Sequence, residues 1–228
     1  MLLRMNRISG AAFVVGTVFM LSGCASTGAV KESKEASPEA TPVAVAPPPV
    51  AEKGGWRNVA TVHDKDRIRN WYTAWKQALE AANQGGYGAQ VSEAGDVLRP
   101  DAALPNPHLP PGNYKCRTIK LGSKSGGTLT YVSYPWFTCR VTAEQNLFSF
   151  VKLTGSQRTT GLIFEDDDRR QIFLGTMVLG DESGPRDYGV DEARDMAGIV
   201  ERIGAQRWRI VFPYPAYESI VDVLEIAP

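Results

Sequence analysis

Arg207-Trp208-Arg209-Ile210-Val211-Phe212 decides the fold. Trp208, Ile210 and Phe212 alternate with Arg207, Arg209 and Val211, so a strand here has one wholly apolar face. The same period of two recurs on both sides of this stretch. It predicts strands over 114–121, 129–134, 137–142, 147–154, 159–165, 171–179, 196–203, 207–212 and 220–226. The runs between them have turn chemistry: Gly126-Gly127, Gly155-Ser156, Asp166-Asp167-Asp168 and Gly204-Ala205-Gln206. Short strands joined this closely, with no helix between them, pair with their neighbours in antiparallel order. Pro135 marks a bulge or a strand break.

Upstream, the period changes to that of a helix. Ile68, Trp71, Tyr72, Trp75, Leu79 and Ala82 recur at spacings of three and four, which predicts one amphipathic helix over about 64–83. Asp64 is its expected cap or first-turn acid, and Gly85-Gly86 its stop. The expected fold is therefore mainly β. It is an antiparallel, lipocalin-like (calycin-type) barrel of about eight strands, with one N-terminal amphipathic helix outside it or across one end. The folded domain is expected over 56–228, with its strand region over 113–227.

The beginning of the chain reads differently. Arg4 and Arg7 precede an apolar run from Ile8 to Met20, and Leu21-Ser22-Gly23-Cys24 follows. The order of basic head, apolar run and small residues is that of a secretory signal, and the run is too short to span a bilayer of roughly 30 Å. Leu21-Ser22-Gly23-Cys24 resembles the bacterial lipoprotein lipobox. The resemblance implies a signal peptide over 1–23, with Cys24 taking a diacylglycerol thioether and then acylation at the new N-terminus. It also implies membrane attachment through lipid. Ala25 after that cysteine implies sorting to the outer membrane, facing the periplasm. Residues 24–55 hold Pro38, Pro42 and Pro47-Pro48-Pro49 and no aromatic residue, the composition of a disordered Pro/Ala/Glu-rich tether. As a coil it spans about 30 Å. A Pro-rich recognition peptide is the sharper reading of the same stretch.

Lysine plus arginine total 25, as do aspartate plus glutamate. Such a balance does not suit a nucleic-acid partner. With Cys24 assigned to lipid, Cys116 and Cys139 remain, and an oxidising compartment predicts a disulfide between them; two buried thiols are the competing reading. The only histidines, His63 and His108, have no ligand spacing to a cysteine, and no cofactor is expected.

Four residues stand out as candidates for ligand or anion binding. Arg117 and Arg140 each follow a cysteine and would share one face if their strands were neighbours. Arg209 and Asp222 would form an inward pair suited to a polar ligand head, with solvated outward charges as the plainer account. The longest connection, 180–195, offers Asp181, Asp187 and Asp191 to a cation such as calcium, against a solvated loop or lid. Glu165 to Asp168 reads as a charged hairpin tip. No nucleophile elbow, zinc-protease helix, phosphate loop or dinucleotide fingerprint is present, so no catalytic residue is assigned.

Gly112-Asn113-Tyr114-Lys115-Cys116-Arg117, Lys120-Leu121-Gly122, Cys139-Arg140, Leu153-Thr154-Gly155-Ser156-Gln157-Arg158 and Arg207-Trp208-Arg209 resemble an uncharacterised Gram-negative lipoprotein family, a domain of unknown function. That likeness implies kinship and no activity. The expectation is a non-catalytic, lipid-anchored envelope protein whose barrel binds another envelope component. The alternatives are a lipocalin-like carrier of a small apolar or lipid ligand and, by architectural likeness to small periplasmic barrels, an inhibitor of a periplasmic hydrolase or protease. Interior side-chain size separates a binder from a carrier, because a bore filled by Trp, Phe and Ile has no room for cargo.

Overall fold

The computed structural model describes residues 55–124 and 130–228. The signal segment, Cys24 and all of the tether except its last residue lie outside them. Nine strands form: β1 (Gly112–Leu121), β2 (Tyr131–Ser133), β3 (Phe137–Glu144), β4 (Leu147–Lys152), β5 (Gln157–Glu165), β6 (Arg170–Leu179), β7 (Asp195–Gly204), β8 (Arg207–Pro213) and β9 (Val221–Ala227). Each expected strand is present, and every pairing is antiparallel. Sequential neighbours pair from β3 to β9, β3 pairs with β1, and β9 returns to β1 along Lys115–Leu121, so eight strands close a barrel.

The ninth strand, β2, is an addition on the seam. It pairs with Ile119–Leu121 of β1, on the edge that β3 occupies along Gly112–Cys116. Between the two, the Tyr134 amide donates to the Thr118 carbonyl at 3.0 Å. Pro135 follows directly and separates β2 from β3.

The inward faces of the strands make one buried cluster that includes Phe150, Ile163, Phe173, Trp208, Ile210, Phe212, Leu224 and Ile226. Phe173 stands edge-on to Phe150 and to Phe212, with centroids 6.2 and 5.7 Å away. These rings fit because Gly161 and Gly175, register partners on β5 and β6, present no side chain; a Cβ on either would lie 2.7 Å from the Phe173 ring and closer still to the facing backbone. Each buried ring contributes about 1.5–3 kcal/mol. The bore is filled by the chain's own side chains. Cys116 and Cys139 also point into it and are joined as a disulfide, Cα–Cα 5.9 Å, as expected.

One barrel end is plugged. Leu104 bridges to Arg202, Leu109 is fully buried among the bore residues, and Trp208 Nε1 donates to the His108 carbonyl at 2.9 Å. The short hairpins after β3, β5 and β7 surround this plug. The connections after β1, β4, β6 and β8 lie at the opposite rim.

A helical layer covers part of the outer wall: α1 (Trp56–Val59), α2 (Val62–Arg69), α3 (Trp71–Gln84) and α4 (Gly88–Ala94), followed by a 3-10 turn over Gly95–Val97. The single helix expected over 64–83 is thus divided at Asn70, whose side-chain amide donates to the Asp66 carbonyl at 2.9 Å and competes with the helical ladder. The cap of α2 is Thr61, whose hydroxyl accepts from the Asp64 amide at 3.1 Å, and Asp64 is the first-turn acid, the second of the two places expected for it. Ile68, Ala74, Trp75, Ala78 and Ala82 pack with Ile119, Leu121, Ile172, Ile199, Val211 and Val223 on the outer wall.

Candidate functional site

The alternation that builds the strands also sorts their charges. On the outer wall Arg170, Glu201, Arg209, Glu225 and Arg117 stand opposite one another in register across β6, β7, β8, β9 and β1. Their signs alternate. Arg170 Nε meets Glu201 at 2.8 Å, Arg209 meets Glu201 at 2.6 Å, and Arg117 Nε and Arg207 Nε each meet Glu225 at 2.6 Å. Two of these arginines also lie over tryptophans of α3: Arg209 is 4.3 Å from the Trp75 ring centroid and Arg170 is 4.9 Å from that of Trp71.

Arg209 is therefore a clamp and not a ligand contact. Its side chain is 0% exposed, and it donates to the carbonyls of Asp96, Val97, Arg99 and Pro100 at 2.8–3.1 Å. Burial lowers its pKa, opposed by Glu201. The pairing expected between Arg209 and Asp222 does not form, because Arg209 faces the outer wall and Asp222 the bore. The neighbouring arginines expected on β1 and β3 are also apart. Arg140 stands opposite Asn113 and its Nε donates to the Asn113 side-chain oxygen at 3.0 Å, while Arg117 lies four residues further along β1. Arg117 faces Glu225 and the Trp136 ring instead.

Asp222 belongs to a different group, at the unplugged rim. Lys120 Nζ donates to its Oδ2 at 2.8 Å, and the Ser219 hydroxyl donates to its other oxygen. Burial raises the Asp222 pKa, against the pull of Lys120. Burial works against the Lys120 charge too, but Asp222 and Glu218 outweigh it and leave that pKa raised. Across the rim lies Lys152, 5% exposed. Its ammonium donates to the Gln157 carbonyl at 2.7 Å and sits 4.1 Å from the Phe137 ring centroid. It has no ion-pair partner among the described residues. Burial first, then Lys120 and Arg158, lowers its pKa to about 8. Lys120, Lys152, Thr118, Tyr134, Phe137, Ser156 and Gln157 line a cleft of about 80 Å³.

A larger cleft, about 410 Å³, lies between α1, α2 and the outer wall, with Trp56, Trp71, Arg57, Lys65, Arg69 and Arg170 on its walls. Its arginines are already neutralised: Arg57 by Asp166 at 2.9 Å, Arg69 by Asp66 at 2.7 Å, and Arg170 by Glu201. The hairpin tip expected at 165–168 is used in this way, with Asp166 also taking Trp56 Nε1 at 2.8 Å and Asp167 closing the turn through the amides of Arg169 and Arg170.

The acidic connection after β6 holds no cluster suited to a cation. Among the described residues no three metal-type side chains converge, and Asp181, Asp187 and Asp191 are not brought together. Asp191 is engaged by Arg186 at 2.9 Å and by the Ala193 amide. The loop is tied down by Tyr188, whose hydroxyl donates to the buried Asp64, and by the Gly189 amide on Asp195 at 2.9 Å. Asp64 in turn holds Arg67, and Arg67 Nη2 reaches the Asp195 carbonyl at 2.9 Å.

Lys120 and Lys152 are the site residues that sequence reasoning passed over. The signal was present: Lys152 is in phase with Phe148 and Phe150, and Lys120 with Cys116, so both face the bore. No curated protein and no solved structure matches this chain. The family described as Domain of unknown function (DUF4893) matches over residues 56–226, which takes in every described helix and all nine strands except the last residue of β9. The chain belongs to the DUF4893 family.

Proposed function

We propose that this protein is a non-catalytic, lipid-anchored protein of the cell envelope, whose barrel binds another envelope component at its unplugged rim. The filled bore carries this reading. Phe150, Phe173 and Phe212 interlock across the space that a carrier would leave for cargo, which favours recognition at the rim over transport within the barrel. The lipobox resemblance at Cys24 supplies the anchor, and the Cys116–Cys139 disulfide suits an oxidising compartment. Among the described residues no helix is long and apolar enough to cross a membrane.

Two measurements test it. Wild type should fractionate with membranes and Cys24→Ser should not; equal membrane recovery of both overturns the anchor. A photo-crosslinking side chain at Leu153, on the rim loop after β4, should give a discrete adduct in intact cells, and one at Gln145, on the plugged end, should not. Equal adducts at both positions, or none at Leu153, overturn the rim as the binding end.

A further inference from the structure

We infer that the rim cleft between β1, β4 and the Tyr134–Phe137 segment is an oxyanion site, with Lys152 as its cation and Lys120, already paired with Asp222, on the same wall. The inference rests on the rim being the binding end and names the chemistry it recognises.

Lys152 is the observation that carries it. A buried ammonium is normally neutralised by a carboxylate, because water no longer stabilises its charge. Every other strongly buried cation described above has such a partner: Lys120 has Asp222, Arg67 has Asp64 and Arg209 has Glu201. Lys152 has a carbonyl and an aromatic ring, which use one of its three donors and leave its charge uncompensated. The charges that reach it are mainly of its own sign, from Lys120 and Arg158, with Asp222 opposing. The cleft beside it has hydroxyls from Thr118, Tyr134 and Ser156 on its walls. Its volume, about 80 Å³, suits one small group such as a carboxylate or a phosphate and excludes a bulky ligand. Lysines rather than arginines fit a compact charge held from several sides instead of a flat, two-pronged contact.

Titration calorimetry on the full-length chain in nonionic detergent tests this, with sodium phosphate and sodium acetate at constant ionic strength. Saturable binding of at least one anion is expected, weakened about tenfold or more in Lys152→Met and unchanged in Lys115→Met, whose lysine is exposed on β1. Preference for phosphate assigns a phosphoryl-bearing ligand, and preference for acetate a carboxylate-bearing one. A second measurement needs no variant: the bound anion should slow acetylation of Lys152 by acetic anhydride while leaving Lys115 unprotected, read by peptide mass. No saturable binding, equal binding by Lys152→Met, or no protection overturns the inference. The Leu153 crosslink reads the binding end separately, so the two failures are distinguishable.

Discussion

The Arg209 guanidinium and the Glu201 carboxylate, register partners on β8 and β7, meet at 2.6 Å with neither side chain exposed to solvent. The pair sits beneath the 96–100 segment and against Trp75, so it joins the barrel wall to the layer above it. Removing one partner leaves the other charge buried. Glu201→Gln or Arg209→Met should each destabilise by about 3–5 kcal/mol in urea unfolding. Each variant should also increase proteolysis near residues 96–100.

Lys152 should act on stability in the opposite sense. Its folded pKa of about 8 lies below the usual lysine value of 10.5. Below pH 8 the amine is protonated in both states, and the folded chain carries the full penalty. Between about pH 8 and 10.5 the unfolded state binds more protons, so stability rises with pH across that window. The facing groups are Lys120, Asp222, Arg158 and Tyr134, so the measurement is the difference between wild type and Lys152→Met. In the absence of an anion, Lys152→Met should be more stable by about 2–3 kcal/mol at pH 7, with the advantage shrinking toward pH 10.

The Cys116–Cys139 bridge spans a sequence separation of 23. In the chain-entropy account a loop of that size contributes about 3 kcal/mol. Reduction, or a Cys116→Ser, Cys139→Ser double variant, should lower the urea midpoint by a matching amount while the far-ultraviolet spectrum keeps its β character.

Gly175→Ala tests the close approach of β5, β6 and the Phe173 ring. A Cβ there lies 2.1 Å from the Thr160 carbonyl and 2.7 Å from the Phe173 ring, so strands or rings must shift. A loss of about 1–3 kcal/mol or more is expected in thermal unfolding, because the β5 backbone and the Phe173 ring both stand where the methyl group would go.

Tyr188→Phe removes the hydroxyl that holds Asp64, and with it a buried link between α2 and the connection after β6. A loss of about 1–3 kcal/mol is expected, together with faster protease cleavage within 180–194.

Parity made much of this legible in advance. Once Trp208, Ile210 and Phe212 define the inner face of β8, Arg209 has to lie outside, and the same rule puts Lys152 inside with Phe150. Its solvation was the part that parity could not provide. Lys152 reads as a surface residue until β4 and β5 are paired and Gln157 closes over it. Arg209 likewise reads as solvated, because the segment that covers it, 96–100, has no hydrophobic period to reveal its path. The separation of Arg117 from Arg140 is a matter of register: both lie on one face, and the pairing of Asn113 with Arg140 keeps them apart. The break at Asn70 depends on a single side-chain hydrogen bond within an otherwise continuous helical pattern.

The seam of the barrel carries a last consequence. β3 covers one half of the free edge of β1, β2 covers the other half, and the Tyr134 amide fills the gap at Thr118. A visiting strand would find that edge of β1 already taken, with the three-residue β2 left as the edge strand of the sheet. An edge of only three residues is one of the devices by which sheets avoid pairing edge to edge with other chains.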